Sequence, residues 1–254
     1  MRDNVQSYIN DQESSGEIND VAVYFRDLNN GPWFGLNEKM NFSPASLLKV
    51  PLMLALYKQA LLQPGFINKE VVVVDDGFDN IETIKSEHHL KKGDKKTVGE
   101  AIEYMIKYSD NNAAYLLSKT VDKQVFEDTY NELGIGLPLD INYTISVRTY
   151  ASFFRILYNT TYLGQTYSEE ALRLLSESEF KDGLVAGVPG NIKVSHKFGE
   201  REFENNIQQI HDCGIIYDDD HTYLLCVMSR GKDSGSLIKT IAQISKIVYD
   251  GINK

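Results

Sequence analysis

The chain has 254 residues, 42% of them hydrophobic and 24% charged, which is ordinary for a folded globular protein and too apolar for a disordered one. A formal net charge of −10 and a pI near 5.0 leave no basic stripe to neutralise phosphates, so a nucleic-acid partner is not expected. No C-x-x-C or H-E-x-x-H pattern occurs and the histidines are scattered apart from His88-His89, so neither a metal nor another cofactor is expected.

No apolar run is expected to approach the ~18 residues that a membrane helix needs, and the N-terminus lacks the charged-then-apolar pattern of a signal peptide. The polar stretch Arg2 to Asp20 suits a soluble chain, and equally one whose export signal or anchor has been removed. Val21 to Phe25 is rich in β-formers, and the turn signal Asn29-Asn30-Gly31-Pro32 leads into Trp33-Phe34-Gly35-Leu36, which predicts a hairpin. From Pro44 onward Leu47, Leu48, Leu52, Leu54, Leu56 and Leu61 crowd a segment of helical length ending near Gln63-Pro64-Gly65, so a buried helix is expected there. Pro51 is near enough to its start to be tolerated.

A short strand-like run, Val71 to Val74, precedes a polar stretch with the lysines Lys91, Lys92, Lys95 and Lys96, read as a solvated loop. Helical patterns follow from Thr97 through Ile106, and at Asn112 to Lys119, Gln124 to Leu133, Val147 to Tyr158 and Ser168 to Ser176. Past Gly187-Val188-Pro189-Gly190 the period returns to two. Strands are expected at Ile192 to Phe198, Ile207 to Tyr217 and Tyr223 to Ser229, then a closing helix from Ser236 to Tyr249. A two-residue turn at Asp219 and Asp220 would set Cys213 opposite Cys226; a cross-strand disulfide and two small buried thiols both remain open.

Strands at both ends with helices between imply one mixed α/β (α+β) domain over 1–254. Its antiparallel sheet lobe would come from about 18–43 and 187–254 and its helical lobe from about 44–186, with the active site expected in the cleft between.

Three short strings carry chemistry. In Ser46-Leu47-Leu48-Lys49 a serine and a lysine three apart at a helix start face one side, so the amine can reach the hydroxyl. A serine becomes a useful nucleophile when such a base takes its proton. Ser109-Asp110-Asn111 stands at a break between helical patterns, where a cap explains it equally well. Lys197-Phe198-Gly199 ends a strand, where a protective edge lysine is the plain alternative. Each string is common by itself.

In that order, however, S-x-x-K, S-D-N and K-x-G resemble the motif set of class A β-lactamases and penicillin-binding proteins. The segments Asn41 to Leu52, Gly93 to Ala114 and His211 to Met228 are similar to the family's surroundings of these motifs, so the resemblance runs from about Val21 to the C-terminus. It implies a β-lactamase/transpeptidase-like fold and a serine hydrolase that takes a small β-lactam or a peptidoglycan stem peptide, as a monomer. It also implies extracytoplasmic placement. By the same resemblance Ser46 is acylated, Lys49 is a base, Ser109 relays a proton to the leaving nitrogen and Asn111 holds the substrate amide. Lys197 would supply positive charge. The backbone N–H groups of Ser46 and Glu200, the latter next to Gly199, would form the oxyanion hole.

Two departures matter. The family's E-x-x-L-N loop, whose glutamate activates the deacylating water, is absent, and between Gly134 and Val147 Asp140 is the sole carboxylate and a weak candidate to replace it. Without a positioned base deacylation is expected to be slow, since such help is worth ~10²–10⁴-fold. Phe198 stands where the family has a hydroxyl residue for the substrate carboxylate, and no arginine lies near Thr222 and Tyr223, which leaves Arg201 as a possible substitute. A β-lactamase-like enzyme is therefore expected, with a penicillin-binding DD-peptidase and a non-catalytic binding or sensor module as alternatives.

Overall fold

The computed structural model describes residues 1–16, 18–78, 84, 86–140, 142–218 and 221–253, with Asn205 described by its backbone alone. Asp219 and Asp220, the expected hairpin turn, lie outside the described residues, as does Ile141. Two compact units make up the chain: unit 1 is Met1–Leu47, Asn142–Arg155 and Phe180–Lys254, and unit 2 is Leu48–Ile141 with Ile156–Glu179. Beyond the expected sheet segments, unit 1 also takes in residues 1–17, 44–47, 142–155 and 180–186.

Unit 1 is built on a five-stranded antiparallel sheet in the order β2-β1-β9-β8-β7. Its strands are β1 (Ile18–Asp27), β2 (Trp33–Leu36), β7 (Lys193–Phe203), β8 (Ile207–Tyr217) and β9 (Tyr223–Gly231). The two ends of the chain meet where β1 pairs with β9, Val23 opposite Val227. Most residues of β8 and β9 are buried; β9 reads as a continuous apolar run from Tyr223 to Met228, whereas β8 also buries the polar Gln209, His211 and Asp212. Helices α1 (Arg2–Ser14) and α8 (Ser234–Ile252) pack against one another, and α8 lies on β8 and β9. Cys213 and Cys226 stand in register across β8 and β9, 3.9 Å apart at Cα, and are joined as a disulfide.

The stretch Arg2 to Asp20 holds a helix that its polar composition concealed. Only Val5 and Ile9 of α1 are buried, and four-residue spacing puts both on the face that meets the unit. A second small pair, β3 (Asn41–Phe42) with β6 (Ile145–Ser146), ties 142–155 to the segment just ahead of Ser46.

Unit 2 gathers around α2 (Lys49–Leu62), eleven of whose fourteen residues are buried. Burying side chains such as Leu52, Met53, Leu54 and Leu56 is worth about 1.5–3 kcal/mol each relative to exposure. The 18-residue segment Ala45–Leu62 has a mean hydropathy of 1.3, so by length and composition one run does reach membrane-helix scale, contrary to the expectation above. It is 67% buried within the protein, and its apolar character serves a core. Around it stand α3 (Val98–Lys107), α4 (Asn111–Thr120), α5 (Lys123–Glu132) and α7 (Gly164–Ser176), with the short pair β4 (Glu70–Val72) and β5 (Lys95–Thr97). A capping box at Thr97 and Glu100 starts α3, and Asp110 and Asp122 cap α4 and α5. Helix α6 (Val147–Tyr158) is divided between the units at Arg155 and Ile156.

Candidate active site

Ser46 lies in a short 3₁₀ turn, Ala45–Leu48, that runs without a break into α2 at Lys49. Within unit 1 this turn is held from three directions. Gly199 of β7 approaches so closely that a methyl in its place would meet Pro44 O at 3.0 Å and Leu47 N at 3.1 Å, so a side chain there would push the turn back by a few tenths of an ångström. Tyr150 Oη of α6, fully buried, donates to Leu47 O at 3.0 Å. Ser43, three residues ahead of Ser46, is held at each of its polar groups. Its N–H donates to Gln209 Oε1 (3.0 Å), its carbonyl accepts from His211 Nε2 (2.9 Å) and its hydroxyl accepts from Arg201 Nη1 (2.8 Å). Between Ser43 and Ser46, Ala45 takes a φ of +49°, a left-handed conformation that an alanine adopts only where its surroundings enforce it.

The protonation of His211 follows from these bonds. Its Nε2 donates to Ser43 O while its Nδ1 accepts from Ser229 N–H at 3.3 Å, so the neutral ring satisfies both partners and a second proton would displace one. Complete burial, opposed by the Ser43 carbonyl, pushes its pKa down to about 4 from 6.5.

Strand β7 is one of the two outer strands of the sheet. Lys197 is wholly buried, and its Nζ donates to Phe198 O at 2.9 Å. Phe198 is 4% exposed and stacks on Phe180 with ring centroids 4.4 Å apart, so its ring is part of the packing of unit 1. Glu200 follows Gly199 opposite Ile210. Arg201, which the sequence offers for a substrate carboxylate, spends one guanidinium N–H on Ser43 and lies over the Phe203 ring at 4.7 Å. Also in β7, His196 Nδ1 pairs with Asp212 Oδ1 at 2.8 Å, and Asp212 Oδ2 accepts from Leu184 N at 2.9 Å, a buried link that braces the strand beside Lys197.

Unit 2 brings together Lys49, Ser109 and Asn111. Lys49 Nζ donates to the Ser109 carbonyl, to Ser109 Oγ at 3.0 Å and to Asn111 Oδ1 at 2.7 Å. Ser109 is buried with a φ of +56°, a left-handed conformation like that of Ala45 beside the first string. Its neighbour Asp110 is the N-cap of α4: Oδ1 accepts from Asn112 N at 2.8 Å, and Oδ2 accepts from Leu90 N at 2.8 Å. Asn111 Nδ2 donates to Phe78 O at 3.3 Å, which fixes the orientation of the amide that also serves Lys49. The plain capping role and the candidate chemical role are thus carried by adjacent residues of one string. Asp140 is exposed on the short loop after Pro138.

A lysine amine held by a serine hydroxyl and an asparagine oxygen, one helical turn along the chain from a second serine, is equipped to pass protons between hydroxyl groups. The Ser43 grip, Tyr150 and the Phe180–Phe198 stack have no signal in the sequence. Their partners come from strands and helices more than a hundred residues apart, except in the stack.

The family model described as "Beta-lactamase enzyme family" matches residues 3–252. Among curated proteins none matches the sequence. A β-lactamase from Chitinophaga pinensis has a similar structure, with a TM-score of 0.85 at 19% identity over 98% of this chain and 100% of that one. A class A β-lactamase from Mycobacterium abscessus gives a TM-score of 0.82 at 19% identity, covering 98% and 100%. A mutant of PBP-A in acyl-enzyme complex with penicillin G gives 0.82 at 18%, covering 100% and 97%. At such identities these likenesses speak for the fold, a β-lactamase/transpeptidase-like one, whereas the family model spans almost the whole sequence. The chain belongs to the beta-lactamase enzyme family and is a β-lactamase-like serine hydrolase.

Proposed function

We propose that Ser46 attacks the carbonyl of a β-lactam or a D-alanyl-peptide-type amide and that the resulting acyl-serine is hydrolysed slowly. The observation that carries this reading is the arrangement of Lys49 with Ser109 and Asn111 immediately after the Ser46 turn. Lys49 in its neutral form, with two N–H donors left for Ser109 and Asn111, takes the Ser46 proton and passes a proton to the Ser109 hydroxyl as that hydroxyl hands its own to the departing nitrogen. The N–H groups of Ser46 and Glu200 stabilise the oxyanion; the close approach of Gly199 to Pro44 and Leu47 supports that pairing, because it sets β7 against the Ser46 turn. Asn111 binds the substrate amide, and Lys197 provides positive charge for its carboxylate.

Slow deacylation rests on the short loop. Its lone carboxylate, Asp140, is exposed rather than enclosed with Lys49 and Asn111. Phe198, buried against Phe180, contributes no hydroxyl to a substrate carboxylate. This same pair of features is what a penicillin-binding DD-peptidase reading would draw on, and turnover separates the two. Members of the family are generally extracytoplasmic; the Cys213–Cys226 disulfide supports an oxidising compartment for this chain too.

The test is a time course of intact mass and released product with a penicillin, using Ser46→Ala as control. A persistent single adduct supports the proposal, rapid product release replaces slow deacylation with true β-lactamase turnover, and the absence of both refutes acylation by β-lactams.

A further inference from the structure

We propose that an apolar pocket of unit 2 receives the acyl side chain of the substrate and favours an aliphatic chain on the amide that Asn111 holds. The inference rests on that reading of Asn111 and adds what the chain beyond the amide meets. The pocket, of about 290 Å³, is formed by Leu48 and Leu52 along the start of α2, Ser118 and Val121 at the end of α4, Phe126 of α5 and Pro138 of the short loop.

Its chemistry selects the kind of group it takes. Leu48, Leu52, Val121, Phe126 and Pro138 offer carbon alone. The Ser118 hydroxyl is turned back onto its own helix, donating to Tyr115 O at 2.7 Å, and Lys123 at the edge is exposed with its amine 3.6 Å from Glu127. Such a wall binds by burying carbon and supplies little to anchor a polar head. Each methylene it buries is worth about fourfold in affinity, so a free hydrocarbon of that size is held weakly, whereas a chain on an anchored amide adds to binding already gained. The volume agrees, because whole small-molecule ligands occupy about 300–1,000 Å³ and this space suits one side chain.

The position of the pocket points to the same substrate independently. Lys49, next in sequence to Leu48, donates to Asn111 Oδ1 at 2.7 Å, so α2 and α4 are joined at the residue assigned to the amide. Spacings of three and four put Asn111, Ala114 and Ser118 on one face of α4, and Leu48 and Leu52 on one face of α2. Ser118 is therefore about 10 Å along the helix from Asn111, at 1.5 Å per residue. Between them Ala114 contributes only a methyl, while Tyr115 is held with its ring against Phe78 at 4.2 Å. At the far side Leu139, the residue after Pro138, is 81% exposed and extends the apolar surface of the loop.

The experiment follows, by intact mass, acylation of the protein by penicillins that carry acetyl, hexanoyl or octanoyl side chains. The expected second-order rate rises ~10-fold or more from acetyl to octanoyl. Ser118→Trp, which fills the pocket from an exposed position of α4, should bring the octanoyl rate down toward the acetyl rate. Val121→Asp, which makes the wall polar, should do so by another route. Separately, N-octanoyl-D-alaninamide and N-acetyl-D-alaninamide are titrated into Ser46→Ala, with saturable amide NMR shifts expected at Ser118, Val121 and Phe126 for the octanoyl compound alone. This titration needs no reaction, so a lack of adduct with every penicillin refutes acylation of Ser46 while the pocket is still judged by the shifts. Rates independent of chain length, a dependence unchanged in both variants, or a titration without saturation would overturn the proposal. Shifts at these residues that follow protein concentration without ligand would overturn it too, since they mark a second copy seated there.

Discussion

The candidate site residues are held in two different ways, and the contrast follows from the elements that carry them. In unit 1 the Ser46 turn is fixed by contacts with the backbone and with buried side chains of a sheet: Gly199 against Pro44 and Leu47, and Ser43 bonded to residues of β7 and β8. In unit 2 one flexible side chain, Lys49, joins Ser109 to Asn111, and the backbone there is set by the Asp110 cap of α4. Position in the first region is thus spread over many groups, whereas in the second it is concentrated in one. Substitutions in unit 2 should therefore remove chemistry with the fold intact, and those in unit 1 should change stability together with chemistry.

The largest effect is expected from Lys49→Ala. It removes the proposed base and leaves the Ser109 and Asn111 oxygens without their shared donor, so acylation by a penicillin should slow ~10²–10⁴-fold while the circular dichroism spectrum stays unchanged. An equal loss of structure would erase the contrast between the units.

Next comes pH. Because the folded His211 pKa of about 4 is below its unfolded value near 6.5, the unfolded chain binds the extra proton more readily, and unit 1 loses stability as pH falls from about 6.5 toward 4. The shift corresponds to roughly 3 kcal/mol, read from denaturant midpoints across that window. His211→Gln, which does not titrate there, should flatten this part of the profile; a profile with the same slope would contradict the assignment.

Gly199→Ala should be smaller, about 1–3 kcal/mol of destabilisation from overpacking against Pro44 and Leu47. Unlike Lys49→Ala it should lower stability and acylation rate together, which thermal unfolding and a reporter penicillin measure side by side. The smallest effect belongs to Asp140→Asn. An exposed carboxylate should alter the lifetime of the acyl-enzyme by no more than about twofold, in keeping with the small effects of most surface changes. A large change would return Asp140 to the role of water-activating base.

Much of this was legible in the sequence wherever periodicity was strong. Helix α6 and strand β8 run over the residues their patterns predict, Val147–Tyr158 and Ile207–Tyr217. Reading failed where polar residues hide an element. Helix α1 presents only Val5 and Ile9 to the protein, α7 begins four residues early among Gly164, Gln165 and Thr166, and β7 continues through Glu200-Arg201-Glu202 to Phe203. Of the site, the three strings were legible because their chemistry is local in the chain. The grip on Ser43 was not, since Arg201, Gln209 and His211 are 158, 166 and 168 residues away and only the strand register brings them there. Arg201 shows the consequence: its charge suggested a substrate contact, and its hydrogen bond ties it to Ser43, just ahead of the Ser46 turn.

The central claim is that Ser46 becomes acylated and is released slowly. Intact-mass measurement of the protein with a penicillin, sampled from the first turnover onward, tests it most directly. The account predicts one equivalent of adduct that maps to Ser46, outlasts the mixing period and is missing from Ser46→Ala. No adduct and no product, or an unchanged adduct on Ser46→Ala, would contradict it.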